Sequence, residues 1–484
     1  MLTGGQFLEE DNMQRIRMAR YLDELDCRAP GRLNRRRFLA AVGGSAAVAS
    51  TMLGPWSAAL AARRQAERRH GTIRVTDIEV HSIQVPYHDW IKPELMHFYG
   101  PSKRTVYIAR TDRGQVGLGE SGSPEPEAKI KKYIGTNPFD HVGDETSLGL
   151  GTAMYDLMGQ AAGVPVHKLF GQRYRRWVKV GSWTVSADPT HMARAVTEYS
   201  RRGYTWLKYH LSPFENVFDQ LEAMQKVAPP GVRVQFDVTM GGTDDHTPDL
   251  LERMTRYRIC GAFEDPKFEK DIEGYAELRR RIRVPILYHH TPLGATFEVT
   301  RRAADGYILG HSNIGRAIRK AGMFAELDLP FMIQNVGGHI TRTMTTHMHA
   351  AFKAATWHFH CDAETWKADV VTRRPGPVNG LLSVPEQPGL GVTLDLEELA
   401  RLEKLKLPPQ PKWIIKTSYK NGAVMYNIAN PAQSIFMVRP DVRRLLPLSY
   451  DSPLSTEWWD DDGSKKYREM FKRIEREGVV LERK

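Results

Sequence analysis

Cysteine is almost missing from this chain of 484 residues, which holds only Cys27, Cys260 and Cys361. So few thiols exclude a small scaffold stapled by disulfides. A convincing membrane span is missing too. The longest uncharged stretch, residues 39–62, is broken by Gly43, Gly44, Gly54 and Pro55 and carries few Leu or Ile, which argues against a stable span. No zinc-finger, RRM or KH pattern accompanies the net charge of +11, so nucleic acid is not indicated as a partner. What is present is an ordinary globular composition, 41% hydrophobic and 26% charged, over a length that allows two cores plus appendages. Residues 1–38 hold eight Arg against six acidic residues, a net of +2, which leaves 11 − 2 = +9 on the rest. That balance suits acidic substrates or anionic surfaces, and charge kept for solubility is the plainer reading.

Asn34-Arg35-Arg36-Arg37-Phe38-Leu39 precedes the uncharged stretch, which closes on Ala59-Leu60-Ala61. The pattern resembles a twin-arginine signal with small residues at a signal-peptidase site. Residues 1–62 are therefore expected to be a leader, and the mature protein to be periplasmic or extracytoplasmic with no membrane span. Residues 1–33 are long and acidic for such a leader, and an early start codon assignment would account for them.

Three strings dominate the middle of the chain: Trp206-Leu207-Lys208-Tyr209-His210, Val234-Gln235-Phe236-Asp237 and Ala262-Phe263-Glu264-Asp265-Pro266. Each is an apolar run that ends in an ionisable group. They are evenly separated, 237 − 208 = 29 and 264 − 237 = 27. A parallel β/α repeat has that length, and in a closed barrel all strand ends open on one mouth. Two carboxylates in one cavity suit a hard divalent cation, and a lysine and histidine beside them suit proton abstraction.

The surroundings agree. Runs at 178–185, 204–209, 232–237, 259–263, 284–288, 306–309, 330–334 and 355–359 alternate with amphipathic segments, which predicts eight strands of a (β/α) barrel over 178–370. Residues 72–177 read as an α+β domain ahead of it. Strands are expected over 72–86 and 105–119, with a turn at Asp112-Arg113-Gly114, and 122–162 is expected to be mainly helical. Residues 371–410 are expected to return to that first domain. Residues 411–484 form an appendage whose Tyr467, Met470, Phe471 and Ile474 repeat at helical spacing. That helix is expected to dock on its own domain, with a membrane surface or partner subunit as alternatives.

The ordered set resembles the enolase superfamily, on its mandelate racemase and muconate-lactonizing side. Its carriers are Asp156-Leu157-x-Gly159-x-Ala161-x-Gly163-x-Pro165-Val166, Lys208-x-His210, Asp237, Glu264-Asp265-Pro266 and Val284-Pro285-Ile286. The resemblance implies an α/β fold, a modified (β/α)8 TIM-type barrel with an N-terminal α+β capping domain. It also implies a small carboxylate substrate, a divalent metal and a base that takes the proton α to the carboxylate to give an enediolate. Mg²⁺ is the expected ion. Asp237 and Glu264 match the metal ligands that end strands three and four. The third ligand is normally acidic, and His290 stands at its place, which admits Mn²⁺ or another transition metal. The alternative is that His290 only binds substrate. Lys208 and His210 match the family's Lys-x-Lys pair, and His210 is the expected base near neutral pH. A homo-oligomer is implied as well.

The opposite wall departs from the family. Gly310 and Gln334 stand where an acid on strand six and a histidine on strand seven would form a second base. His289, Gln334, Asn335, His339 and His360 are expected to contact substrate, whereas His347 and His349 are expected to lie in a helix, facing solvent or packing. With one clear base wall, syn elimination of water from a sugar acid is favoured, ahead of cycloisomerisation or epimerisation, which needs a base on each face. The segment His88–Arg104, with Trp90, Lys92, His97, Tyr99, Lys103 and Arg104, reads as a lid for a polyhydroxylated acid. Two rivals remain: a barrel that has lost the reaction and only binds, and a zinc hydrolase. The latter normally needs a His-x-His that Val180-Gly181-Ser182-Trp183 does not offer.

Overall fold

The structure is a computed structural model, and it describes residues 54–238, 246–292, 294–428 and 450–483. The arginines of the leader motif lie outside the described residues. Ala58–Lys484 forms one compact unit. A helix, Gly54–His70, opens the described chain and contains Ala59-Leu60-Ala61. Its Ala62 and Ala66 sit four apart on one face and are buried in the main core.

Three antiparallel strands follow, Val75–Val85, Ser102–Thr111 and Val116–Ser121, and the second and third are joined through the 112–115 turn. Helix Leu148–Ala162 packs on this sheet so closely that a Cβ at Gly119 would lie 2.1 Å from the carbonyl oxygen of Gly149. The buried Asp156 on that helix accepts from the backbone N–H groups of Leu118 and Leu390, at 3.0 and 2.9 Å. It thus ties sheet, helix and the returning segment together. Within 122–162 only Glu127–Ile130, Pro138–His141 and Leu148–Ala162 are helical. Gly135 and Gly143 adopt positive φ, of 82° and 70°, and interrupt the helical path expected there.

The barrel follows in register. Ser182–Thr184, Trp206–His210, Arg233–Asp237, Cys260–Glu264, Ile286–Tyr288, Gly306–Gly310 and Phe331–Gln334 make one parallel sheet in sequence order. The eighth strand is reduced to two parallel bridges, Gln334 with His360 on one side and Val180 with Phe359 on the other, and these close the ring. The run expected at 178–185 is divided. Trp177–Lys179 pairs antiparallel with Leu381–Ser383 outside the barrel, and only Ser182–Thr184 joins the parallel sheet. The loops that follow the strands end in Asp188, Asn216, Asp271 and Asn313, whose side chains cap the next helices. The fold is therefore α/β, a modified TIM-type barrel with an N-terminal capping domain.

Beyond the barrel, Trp413–Tyr419, Ala423–Asn427, Leu454–Asp460 and Val480–Arg483 form a four-stranded antiparallel sheet. The amphipathic helix Lys465–Glu477 lays Tyr467 and Ile474 onto this sheet, in a small core with Ile414, Tyr426 and Val480. No helix among the described residues is long and apolar enough to cross a membrane.

Candidate active site

Strand alternation sorts the barrel interior into layers. Ala262, Leu287, Ile308 and Met332 cluster with Trp206 and Trp357 as an apolar plug. Two residues further along their strands come Lys208, Glu264, His289, Gly310 and Gln334, a polar layer nearer the mouth. His210 and Asp237 end strands two and three beyond it.

Lys208 is the hub. Its Nζ lies 2.7 Å from Glu264 Oε2, 3.1 Å from Asp237 Oδ2 and 2.8 Å from Gln334 Oε1. His210 Nε2 lies 3.1 Å from the same Asp237 oxygen. The structure thus brings Lys208, His210, Asp237 and Glu264 into one contact set. Burial works against the Lys208 charge, but Glu264 and Asp237 more than offset it and raise its pKa. Burial also pushes the Asp237 carboxyl up, yet Lys208 and His210 hold it well below the usual range. Glu264 goes the other way: burial first, then the Asp237 charge, push it up to about 7 despite Lys208.

His289 enters from the strand-five side, with Nδ1 3.0 Å from Glu264 Oε1. A Cβ at Gly310 would lie 1.8 Å from His289 Nε2. The imidazole therefore fills the space that a strand-six side chain would take, which explains the glycine at that position. Burial lowers the His289 pKa to about 3, so the ring is neutral. His290 turns elsewhere, its Nδ1 hydrogen-bonded to Asp265 Oδ2. Asp265 has φ 42°, and in that left-handed turn its carboxylate also accepts from the backbone N–H groups of His289 and His290. The Asp265 bond raises the His290 pKa against partial burial.

The remaining expected contacts divide. Gln334 holds Lys208, and His360 Nε2 lies 3.5 Å from Gln235 Oε1. Asn335 donates to Thr345 Oγ1 behind the strand. His339 pairs through Nδ1 with Asp369 at 2.8 Å, and its Nε2 faces Arg342 at 3.4 Å, so both nitrogens are engaged within the fold rather than aimed at a substrate. The sequence reading misses two participants. Gln235 donates to Glu264 Oε2 at 2.5 Å, and its place two residues before Asp237 on one strand face is a signal that alternation offers. Asp265 stands in the sequence only as part of Glu264-Asp265-Pro266, and nothing local reveals its left-handed turn.

The residues suit a divalent cation. Two buried carboxylates converge on one place, with Glu264 Oε2 and Asp237 Oδ2 2.7 and 3.1 Å from Lys208 Nζ. Asp237 and Glu264 would hold such an ion through oxygen. Among the described residues, Asp265, His289 and His290 also gather donor atoms within 4.8 Å of one another, with the nitrogen character that transition ions accept.

Fold and site together define an α/β barrel enzyme with a capping domain. Residues 191–399 match the family model described as enolase C-terminal domain-like. The chain is 22% identical over 257 residues to an arabinonate dehydratase of Saccharolobus solfataricus, covering 51% of this chain and 69% of the relative. It is 22% identical over 379 residues to muconate cycloisomerase 1-1 of Acinetobacter lwoffii, covering 69% and 97%. The solved dipeptide epimerase of Cytophaga hutchinsonii, complexed with Mg and D-Ala-L-Val, superimposes with TM-score 0.59 at 19% identity, over 68% of this chain and 98% of that one. The family model and the curated relatives support the enolase superfamily for the barrel region, and the relatives' own names are those of lyases and isomerases.

Proposed function

We propose that the protein is a sugar-acid dehydratase that removes the proton α to a carboxylate and expels the neighbouring hydroxyl as water. The observation that carries this reading is the single contact set of Lys208, His210, Asp237 and Glu264 at the barrel mouth. A divalent cation bound by the carboxylates would meet the charge that develops on the substrate carboxylate. His210, with Nε2 3.1 Å from Asp237 Oδ2 at the end of strand two, is the base in this reading. The α C–H bond breaks, its electron pair passes into the carboxylate as an enediolate, and its return breaks the C–O bond to the β-hydroxyl. The proton taken by the base leaves with that oxygen as water. Lys208, kept protonated by its two carboxylates, supplies positive charge beside them.

Dehydratases among the relatives favour elimination. The opposite wall presents the amide of Gln334 and His289, whose pKa burial lowers to about 3 and which is thereby a weak base, so an epimerase reading, which needs a base on each face, lacks an equally clear second base.

In D₂O with Mg²⁺ or Mn²⁺, an accepted acid should lose its α-proton to exchange and release water, and His210→Ala should slow exchange by about 10²–10⁴-fold. Exchange that persists in both His210→Ala and Lys208→Ala would remove these residues from the reaction. Tight cation binding without exchange of any acid would favour a binding protein.

We also propose export by the twin-arginine route, on the Arg35-Arg36-Arg37 motif and the uncharged stretch behind it. Amino-terminal sequencing of the protein from periplasm should find a start near Ala62. A full-length chain confined to cytoplasm would refute the proposal.

A further inference from the structure

Helix Lys92–Tyr99, within the segment read from sequence as a lid, has eight residues. A helix that short has no stability of its own, so whatever packs on it sets its position. One side is gripped by the carboxy-terminal sheet. Trp413 Nε1 and Gln410 Nε2 both donate to the carbonyl oxygen of His97, at 3.1 and 2.6 Å. The His97 ring lies 4.8 Å from that of Trp458, and His97 Nε2 reaches Asp460 at 2.5 Å. Phe98 meets Trp413 and Trp458 edge-on at 5.5 and 5.6 Å.

The same sheet and the segment leading into it also hold the loop that follows barrel strand two and the helix that follows strand three. Val217 N donates to Tyr450 O at 2.7 Å, Asn216 Nδ2 to Ser452 O at 3.0 Å, and Thr456 Oγ1 to Phe214 O. Asp451 pairs with Arg253 at 2.8 Å, on the helix after strand three. One element therefore spans from helix Lys92–Tyr99 to the loop beyond Lys208 and His210 and to the helix that follows the strand of Asp237. The lid's last residue carries the connection inward. Tyr99 meets Trp183 edge-on at 5.5 Å, and Trp183 lies 6.4 Å from His210.

We propose that the carboxy-terminal sheet is a clamp that fixes the lid helix across the strand-two side of the mouth, so that Tyr99 and Trp183 form a set aromatic wall beside His210. This rests on the reading of the mouth as a proton-abstracting site. The wall presents flat apolar ring faces, which suit the C–H face of an extended hydroxy acid, and its fixed position limits how long an acid fits. Trp458 and Asp460 act through His97 and are positioning residues.

The test uses full-length Trp458→Ala and Asp460→Asn, with the surface change Glu457→Gln as control. Backbone amide exchange over residues 92–99 should quicken by about tenfold or more in Trp458→Ala and less in Asp460→Asn, with barrel amides unchanged. For an accepted acid, KM should rise by about tenfold while kcat stays within about twofold, and preference among acids of different length should widen. Unchanged lid exchange in both variants would overturn the clamp, and so would equal losses in kcat and kcat/KM with KM unmoved. If no acid reacts with the wild type, the dehydratase reading fails, and lid exchange alone still decides the clamp.

Discussion

Position 310 shows how one residue reorganises a wall. An alanine there would place its Cβ 1.8 Å from His289 Nε2, and the ring is held from its other nitrogen by Glu264. Gly310→Ala should therefore cost about 1–3 kcal/mol in urea unfolding, as overpacking does. Adding His289→Ala should recover most of that loss, so the double variant is more stable than the sum of the singles predicts. Additive losses would mean that the two positions do not share the space. The glycine was legible in the sequence as a departure from the family pattern. That a histidine from the neighbouring strand fills its place was not, because the two meet only when strands five and six lie side by side.

At the scale of elements, helix Leu148–Ala162 depends on one buried carboxylate. Asp156 serves Leu118 N, Leu390 N and the Gln160 amide, and burial pushes its carboxyl up to about 6. Asp156→Ala leaves two buried N–H donors without it, at about 1–3 kcal/mol for each orphaned group. The expected result is a lower urea midpoint with unchanged m-value, and Asp156→Asn should lose less because its carbonyl oxygen still accepts. The helix and its stop at Gly163-x-Pro165 were readable from residue spacing. The partners of Asp156 were not, since Leu390 lies far along the chain and arrives only with the returning segment. The divided run at 178–185 has the same cause. Its apolar residues satisfy a strand pattern throughout, and only the arrival of Leu381–Ser383 decides which part leaves the barrel.

At the scale of the whole molecule, buried titratable groups bound the pH range of stability. His347 and His349 face inward on helix His339–Ala351, and burial lowers each to about 3. An unfolded histidine takes up its proton near pH 6.5, so the unfolded state binds more protons between there and about 3. The stability these rings contribute is present above about 6.5 and is lost as pH falls, at about 1.4 kcal/mol per pH unit for each ring. Glu364 is the reverse case, pushed by burial up to about 8. Its contribution is full below the ordinary carboxyl pKa and is lost as pH rises from there through about 8. Urea midpoints followed against pH should show His347→Gln flattening the acid limb and Glu364→Gln flattening the alkaline limb. A slope unchanged in either variant would show that the group does not titrate as the fold requires.

The sequence by itself determined the α/β barrel and its capping domain, because apolar period, helix stops and the even pitch of the ionisable strand ends are local properties. It also named Lys208, His210, Asp237 and Glu264 as a set, since the mouth of a parallel barrel collects the ends of all its strands. Only the tertiary structure decided what each group faces. Lys208 lies between two carboxylates, His289 takes the space over Gly310, His290 turns to Asp265, and the carboxy-terminal sheet reaches helix Lys92–Tyr99. Those pairings join residues distant in the chain, and short-range spacing carries no record of which distant groups will share a volume.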